Sequence, residues 1–251
     1  MRALFRLVLF GMIGMICLIA YYVSTSTTWT WHTQLDVTVM TPEGRKTGSI
    51  IYREALTRTS GALVPAEAAG ASRQLWGEAA ALEVTPGRYL FILLADLPSA
   101  LDYTDVEQKP IELAAHLQDV VSMAPVTLPA QAYPKLATFE ALDDPTTAIE
   151  ITPRNISAVF GDGISVLSVS LRVTKASLTL GQTETLLPWL SEYHDKMLDG
   201  RTYQTVRTTN PFAIALLPSP FVPRERLHAG GSGVTSDASK VVCLGRKQPL
   251  L

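Results

Sequence analysis

The residues best suited to acid–base chemistry in this chain are carboxylates. Asp96 and Asp102 belong to a group of acids that follows an apolar run, and Glu54 lies in a predicted strand. Two carboxylates that meet in an apolar cleft can divide the roles of general acid and general base, because burial raises the pKa of one of them. Since these residues are distant in sequence, such a pair would form only in the fold. A hydrolase is therefore an alternative function that the sequence leaves open.

Motifs that identify common catalytic and cofactor sites are absent. The chain contains no Gly-x-Ser-x-Gly, His-Glu-x-x-His, Cys-x-x-Cys, Gly-x-Gly-x-x-Gly or P-loop. The four histidines are far apart, and none has a second ligand at metal spacing: His32, His116, His194 and His228. The sequence therefore predicts no metal site and no cofactor, leaves the catalytic residues unknown, and favours a role that is not enzymatic.

Three further local patterns have a structural interpretation that we prefer. The acids Asp96, Asp102, Asp105 and Glu107 lack the alternation and glycine of a calcium loop, so they indicate a solvated turn. His194 and Asp195 are adjacent and would point apart on a helix. Trp189 follows a proline at a predicted helix start; it fits a staple to the protein's own sheet better than an anchor for a partner.

The sequence Asn155-Ile156-Ser157 fits a glycosylation acceptor, a pattern common by chance.

The amino-terminal segment indicates where the protein works. Leu7 to Val23 contains no charged residue, and the only charges before it are Arg2 and Arg6. At about 1.5 Å per residue, this stretch as a helix reaches roughly 25 Å, close to the thickness of a bilayer core. We expect a cytoplasmic stub at 1–6, a transmembrane signal-anchor at 7–23 and an exported domain at 24–228, with the amino terminus in the cytoplasm. A cleaved leader, with a soluble periplasmic binding protein as the product, is the alternative, since Ser24-Thr25-Ser26 is a possible cleavage site.

Composition excludes several classes of partner and of fold. The formal net charge is −2 and the basic residues are scattered, so nucleic acid is not an expected partner. Of the two cysteines, Cys17 lies in the apolar segment and Cys243 near the carboxyl end, so disulfides are not the framework of the fold. The expected partners are the lipid bilayer, through residues 7–23, and a protein of the envelope.

Hydrophobic periodicity predicts a mainly antiparallel α+β fold. Trp29 to Met40 alternates with a period of two, and the turn signal Thr41-Pro42-Glu43-Gly44 joins it to a returning strand from Thr47 to Thr57. Two more strands meet at a Pro86-Gly87 turn, and Tyr89 to Leu94 is apolar enough for a central strand covered on both faces. The strand before this turn is Leu75 to Val84. The remaining predicted strands are Leu136 to Leu142, Ala148 to Ile151 and Leu167 to Val173.

Two or three short helices complete the expected fold. They are predicted at Ile111 to Met123, between Thr152 and Gly161, and at Pro188 to Leu198. After His228 the chain is rich in Gly, Ser and Thr, and residues 229–251 are predicted to be disordered.

Several short strings resemble those of a group of exported, membrane-anchored bacterial proteins of unknown function. The strings are Trp29-Thr30-Trp31-His32, Thr41-Pro42-Glu43-Gly44, Tyr89-Leu90-Phe91, Leu187-Pro188-Trp189-Leu190, Leu198-Asp199-Gly200 and Asn210-Pro211-Phe212. They cover under a tenth of the chain. The resemblance implies a bacterial envelope setting and no particular activity or site.

Overall fold

The computed structural model describes residues 2–24, 26–61, 64, 69–103, 110–193 and 198. It begins with helix α1, Arg2–Ser24. No helix within these described residues combines the length and the hydropathy that a bilayer crossing needs. The predicted tail at 229–251 lies outside the described residues. The described part is an α+β fold in which every strand pair is antiparallel, as the sequence predicts.

Sheet A contains five strands and begins with the predicted hairpin. Its members in chain order are β1 Ser26–Thr41, β2 Gly44–Thr59, β3 Gly70–Trp76, β6 Val126–Thr127 and β9 Ser165–Thr174. Their order across the sheet is β3-β2-β1-β9-β6. The hairpin turns at Pro42 and Glu43, and Gly44 closes it with a positive φ of 125°, which a residue with a side chain rarely adopts. The long predicted hairpin is confirmed.

Sheet B contains four strands in the order β4-β5-β7-β8. Their bounds are β4 Ala80–Thr85, β5 Arg88–Ile92, β7 Leu136–Phe139 and β8 Ala148–Ile151. Strand β5 lies between two neighbours, and Leu90, Phe91 and Ile92 are fully buried although they point alternately to opposite faces. The predicted central strand is confirmed, with its last paired residue at Ile92.

The prediction of one strand from Leu75 to Val84 is wrong. The chain leaves sheet A after Trp76, runs through Gly77–Ala79 without strand pairing, and enters sheet B at Ala80. A Cβ on Gly77 would lie 3.0 Å from the Cβ of Tyr52, so a larger residue here would push the chain and β2 apart by a few tenths of an ångström. The break lets one continuous apolar stretch supply strands to two different sheets.

In the described part of the chain three helices follow α1, and the sequence misplaces their ends. They are α2 Pro110–Asp119, α3 Ile156–Phe160 and α4 Gln182–Leu186. The first ends before its predicted end at Met123, because Ser122 forms a bridge to Thr174 at the end of β9. Val121, beyond the end of α2, is 71% exposed.

The other two helix predictions are corrected in part. Thr152 does not cap α3; the helix starts after Asn155, and residues 152–155 form a turn in which the Thr152 amide donates to the Asn155 side-chain oxygen. The predicted helix from Pro188 to Leu198 is a 3-10 turn at Pro188–Glu192, while residues 194–197 lie outside the described part. Further 3-10 turns are at Ala100–Asp102, Ala130–Ala132 and Pro145–Thr147.

Two apolar layers hold the strands together. The larger lies between the sheets and includes Leu35, Ile50, Leu90 and Val169. The smaller covers the opposite face of sheet B, where Leu187 and the residues after it pack on that sheet. Sheet B is therefore covered on both faces, whereas the outer face of sheet A carries half-buried polar side chains.

The two tryptophans of β1 pack with the layer between the sheets. Trp31 is 3% exposed in the layer between the sheets, and Trp29 packs against the same layer.

Candidate functional site

Glu54 is a carboxylate in the core, and it is the only one of the three predicted acids that is fully buried. It lies on β2, where Ile50, Tyr52 and Leu56 also point towards sheet B. The period of two along a strand places every second side chain on this face. An isolated charge there would be strongly unfavourable, so Glu54 needs partners.

Hydroxyl and amide groups from two other segments supply part of that compensation. Thr33 of β1 donates its hydroxyl to Oε1 at 2.6 Å, and Ser99 donates its hydroxyl to Oε2 at 2.7 Å. The backbone amide of Ala100 donates to Oε1 at 3.4 Å. Both oxygens of the carboxylate are therefore hydrogen-bonded, and strand β1 and the segment 99–100 are joined to β2.

Arg73 of strand β3 supplies the opposite charge. Its Nε donates to Oε2 of Glu54 at 2.9 Å, and its two terminal nitrogens donate to the carbonyl oxygens of Leu97 and Pro98 at 3.1 and 3.3 Å. The guanidinium thus joins an edge strand to the segment that follows β5. Charged hydrogen bonds of this kind are stronger than neutral ones, and their planar geometry fixes both partners.

Tyr52 completes this cluster, which we call the Glu54 network: Thr33, Tyr52, Glu54, Arg73 and Ser99. Its hydroxyl donates to the Pro98 carbonyl at 2.6 Å. Burial raises the pKa of Tyr52 well above its usual range, and the negative charge of Glu54 adds to that effect. The phenol therefore stays protonated and remains a hydrogen-bond donor.

The geometry of the Glu54 network suits cross-linking better than catalysis. The carboxylate has no exposed surface, and each of its oxygens already accepts hydrogen bonds. A general base must lie within hydrogen-bond reach of the proton that it removes from a substrate. Glu54 lies within hydrogen-bond distance of groups of its own fold. The network therefore holds β1, β2, β3 and the segment 97–100 in their relative positions.

The other predicted acids lie in different surroundings. Asp96 is at the surface, where its carboxylate forms an ion pair with Lys135 at 2.8 Å. Asp102 is exposed in the 3-10 turn that follows Ser99. Asp105 and Glu107 lie outside the described residues. The carboxylates of Glu54 and Asp96 thus have different cationic partners, Arg73 and Lys135.

The described histidines have structural or exposed positions. Nδ1 of His32 donates to the carbonyl oxygen of Ala176 at 2.8 Å, and His116 is exposed on α2. His194, Asp195 and His228 lie outside the described residues. In the ranges that the structure describes, no three His, Cys, Asp or Glu side chains come together as metal ligands.

Trp189 staples the chain to sheet B, as preferred from the sequence. Its ring meets Phe139 edge to face at 5.6 Å, and its Nε1 donates to the Leu142 carbonyl at 2.7 Å. The side-chain amide of Asn155, the possible glycosylation acceptor, donates to the Glu150 carbonyl at 2.8 Å.

Sequence reasoning found Glu54 but missed the residues that surround it. Arg73 and Ser99 lie 19 and 45 positions away, and nothing local connects them to Glu54. One signal was available: Glu54 shares the inward phase of Ile50 and Tyr52, so a buried acid in need of a cation was predictable.

Comparison with known proteins adds no relationship to this picture. No protein-family model matches the chain, and neither the curated proteins nor the solved structures give a match. The function must therefore be inferred from the chain itself.

Proposed function

We propose that this protein is a membrane-anchored bacterial envelope protein whose β-rich domain serves for binding or scaffolding. The observation that carries the proposal is the apolar surface of α1. Successive residues on a helix lie about 100° apart, so exposed Val8, Leu9 and Phe10 face three different directions. A helix that is apolar on every side needs an apolar environment, and among the described residues no core covers these side chains.

The exposed apolar positions extend along the helix as well as around it. The nine that are described are Val8, Leu9, Phe10, Met12, Ile13, Met15, Ile16, Leu18 and Ile19. The proposed anchor is the longer stretch from Leu7 to Val23, taken from the sequence.

The charges at the two ends of the helix support one orientation. Arg2 and Arg6 lie before the apolar stretch, and no Lys or Arg follows before Arg45. Cationic residues favour the cytoplasmic side. In this proposal the amino terminus is cytoplasmic, α1 crosses the inner membrane once, and the two sheets lie in the periplasm.

The state of the acids supports a binding role rather than a hydrolytic one. A hydrolase needs carboxylates that reach substrate, whereas Glu54 is fully buried and Asp96 is held by Lys135 at the surface. The proposed partner is therefore another molecule of the envelope, bound at the surface of the domain.

Extraction and mass measurements on the full chain test the anchor. The protein should remain in the membrane pellet after alkaline carbonate, and its intact mass should include Met1 or Arg2. Replacing Ile13 and Ile16 by Arg places two charges in the apolar stretch, which costs about 2.5–3.5 kcal/mol for each residue at the centre of a span. That variant should move to the soluble fraction, whereas Ser168→Arg and Ser170→Arg on sheet A should not. A mature start between Tyr21 and Thr28 would establish a cleaved leader and a soluble periplasmic protein instead.

Fusions of a reporter test the orientation separately. Enzymes that work only after export should be active when they are fused after Val23 and after Arg88. A reporter that is active in the cytoplasm at either position would contradict the proposed topology.

A further inference from the structure

The outer face of sheet A, which turns away from sheet B, carries a group of cationic and aromatic side chains. We call it the basic patch and define it as His32, Arg53, Trp76 and Arg172. Arg53 of β2 is paired with Trp76 of β3 on one side and with His32 of β1 on the other. Arg172 of β9 is paired with Gln34, two residues beyond His32 on β1. Side chains of directly paired residues are about 5 Å apart and diagonal ones about 7–8 Å apart, so the two guanidinium groups lie within side-chain reach of the His32 ring.

Trp76 fixes one of the two guanidinium groups without using its hydrogen-bond donors. The Cζ atom of Arg53 lies 4.5 Å from the centre of the Trp76 ring. Such a stack is held by the electrons of the ring face, so the N–H groups along the guanidinium edge stay free. An arginine that is already oriented loses less freedom when it binds an anion.

Both arginines have donors with no acceptor among the described residues. The Nε atoms of Arg53 and Arg172 are buried, and neither has a hydrogen-bond partner there. The ion pairs of the described residues involve Lys46, Arg73 and Lys135 instead. Buried donors are normally satisfied, so two on one face are an exception that calls for an explanation.

His32 lies between the two arginines and has one ring nitrogen available. Its Nδ1 donates to the Ala176 carbonyl, which can only accept, so in the neutral ring Nε2 is an acceptor and can receive the hydrogen of a hydrogen phosphate.

One acid lies on the described strand positions of this face, and it is already engaged. Asp36 accepts hydrogen bonds from Gln34 and from Ser49 through the same carboxylate oxygen, Oδ1. Neither guanidinium lies within ion-pair distance of it. The two arginines of the basic patch are therefore permanently charged, and neither is paired with a carboxylate of the described residues.

We propose that the basic patch binds a phosphate group. The two guanidinium groups stand on β2 and β9, on opposite sides of His32 on β1, so their donors would reach a ligand above β1 from different directions. A planar carboxylate accepts in one plane, whereas the several oxygens of a tetrahedral phosphate accept from all of these directions, and guanidinium forks match its geometry. This inference rests on the proposed role of the domain in binding and names the chemistry of what it binds.

Titration of the full chain in uncharged detergent micelles tests the site. Inorganic phosphate and pyrophosphate are added while heat release and the His32 ring resonances are followed. Binding should saturate, and Arg53→Gln and Arg172→Gln should each raise the Kd at least tenfold. Arg45→Gln is the matched control, since Arg45 lies on the same face of the same strand, about 26 Å from Arg53 along β2. Its Kd should equal that of the unchanged protein.

Three results would overturn the site: no saturation with either anion, a Kd unchanged in both arginine variants, or an equal loss in Arg45→Gln. The titration does not depend on membrane retention, so a failed titration would not contradict the proposed anchor. Release of the protein from the membrane would likewise not contradict the phosphate site.

Nanodiscs separate the two sources of the phosphate group. The full chain is placed in discs of phosphatidylcholine with or without phosphatidic acid. A raised Kd for inorganic phosphate in the acidic discs assigns the bound group to a lipid headgroup, and an equal Kd assigns it to a solute. Both results support the site.

Discussion

The arginines on the two faces of sheet A differ in whether they have a carboxylate partner. On the inner face, Arg73 donates to the buried carboxylate of Glu54 and to two carbonyl oxygens. On the outer face, Arg53 rests on a tryptophan ring and Arg172 has no carboxylate partner. Arg53 and Glu54 are neighbours in β2, so the alternation of a single strand separates the two arrangements.

The difference follows from Glu54, whose carboxylate is fully buried on the inner face. A charge in the core loses its hydration, and a partner must compensate for that loss. The described strands carry no buried carboxylate on the outer face, so Arg53 and Arg172 have no such charge to compensate. The inner face therefore uses charge to fix architecture, and the outer face keeps charge available for another molecule.

The largest effect that would test this contrast comes from a new carboxylate between the sheets. Ile92 points from β5 towards the inner face of sheet A and is fully buried. Ile92→Asp places an unpaired charge there at a cost of several kcal/mol, comparable with a typical total stability of about 5–15 kcal/mol. We expect the domain not to fold, as judged by circular dichroism and protease resistance. Ser168→Asp, on the outer face, should cost under about 1 kcal/mol; a folded and stable Ile92→Asp would contradict the packing of the two sheets.

Removing the charge of Glu54 should give the next largest effect. Glu54→Gln keeps the shape of the side chain but leaves Arg73, which is 30% exposed, without its carboxylate, and losing hydrogen bonds to a charged group in this way costs about 1.5–3 kcal/mol. Denaturant unfolding measures the loss. Glu150→Gln, an exposed residue of β8, is the control and should change stability by under about 0.5 kcal/mol.

A second variant separates the lost pair from a general disturbance. In Glu54→Gln with Arg73→Gln, the uncompensated cation is also removed, so part of the lost stability should return. If the two losses simply add, the ion pair is not the reason for the effect of Glu54→Gln.

Alkaline pH should weaken the inner face through Tyr52. Its folded-state pKa is raised above 10.0, mainly by burial, so the unfolded chain releases this proton at a lower pH than the folded chain does. The contribution of Tyr52 is constant below about pH 10 and declines as the pH rises further, by at most about 1.4 kcal/mol per pH unit. Comparing unfolding at pH 9 and pH 11 in the protein and in Tyr52→Phe isolates it, because other alkaline groups are common to both. Equal pH dependence in the two proteins would count against this account.

The smallest effect is expected on the outer face. Arg172→Leu removes a cation that has no acid partner, so the free energy of unfolding should change by less than about 0.5 kcal/mol. Thermal unfolding of Arg172→Leu and of Glu54→Gln under the same conditions measures this change in free energy. A loss as large as that of Glu54→Gln would mean that the outer face also depends on its charges for stability.

Local periodicity was sufficient for the strands that pair with a sequence neighbour. A few consecutive residues were enough to predict three features: the alternation in β1, the turn at Pro42 and the apolar run of β5. The break in strand pairing at Gly77 could not be predicted from the local sequence, because it depends on the approach of the chain to Tyr52 in another strand. The 3-10 turn at 188–192 was likewise mistaken for a helix, since the contacts of Trp189 with Phe139 override local propensity.

The candidate sites were predictable only in part for the same reason. Glu54 stood out by its residue type, but Arg73 and Ser99 reach it through contacts between distant segments. The basic patch is assembled from β2, β1, β3 and β9, and no stretch of sequence contains more than one of its arginines.

The position of β9 in sheet A has a consequence for how the chain is made. Strand β1 gains its second neighbour only when residues about 140 positions later have been synthesised. At about 5–20 residues per second, one edge of β1 waits for roughly 10–30 s. During that interval the edge exposes unpaired amides and carbonyls beside the alternating apolar side chains of Trp31 to Val39, the combination that recruits foreign strands. The nascent protein is thus most vulnerable to misassociation before its ninth strand arrives, and a chaperone that binds extended segments would act in that window.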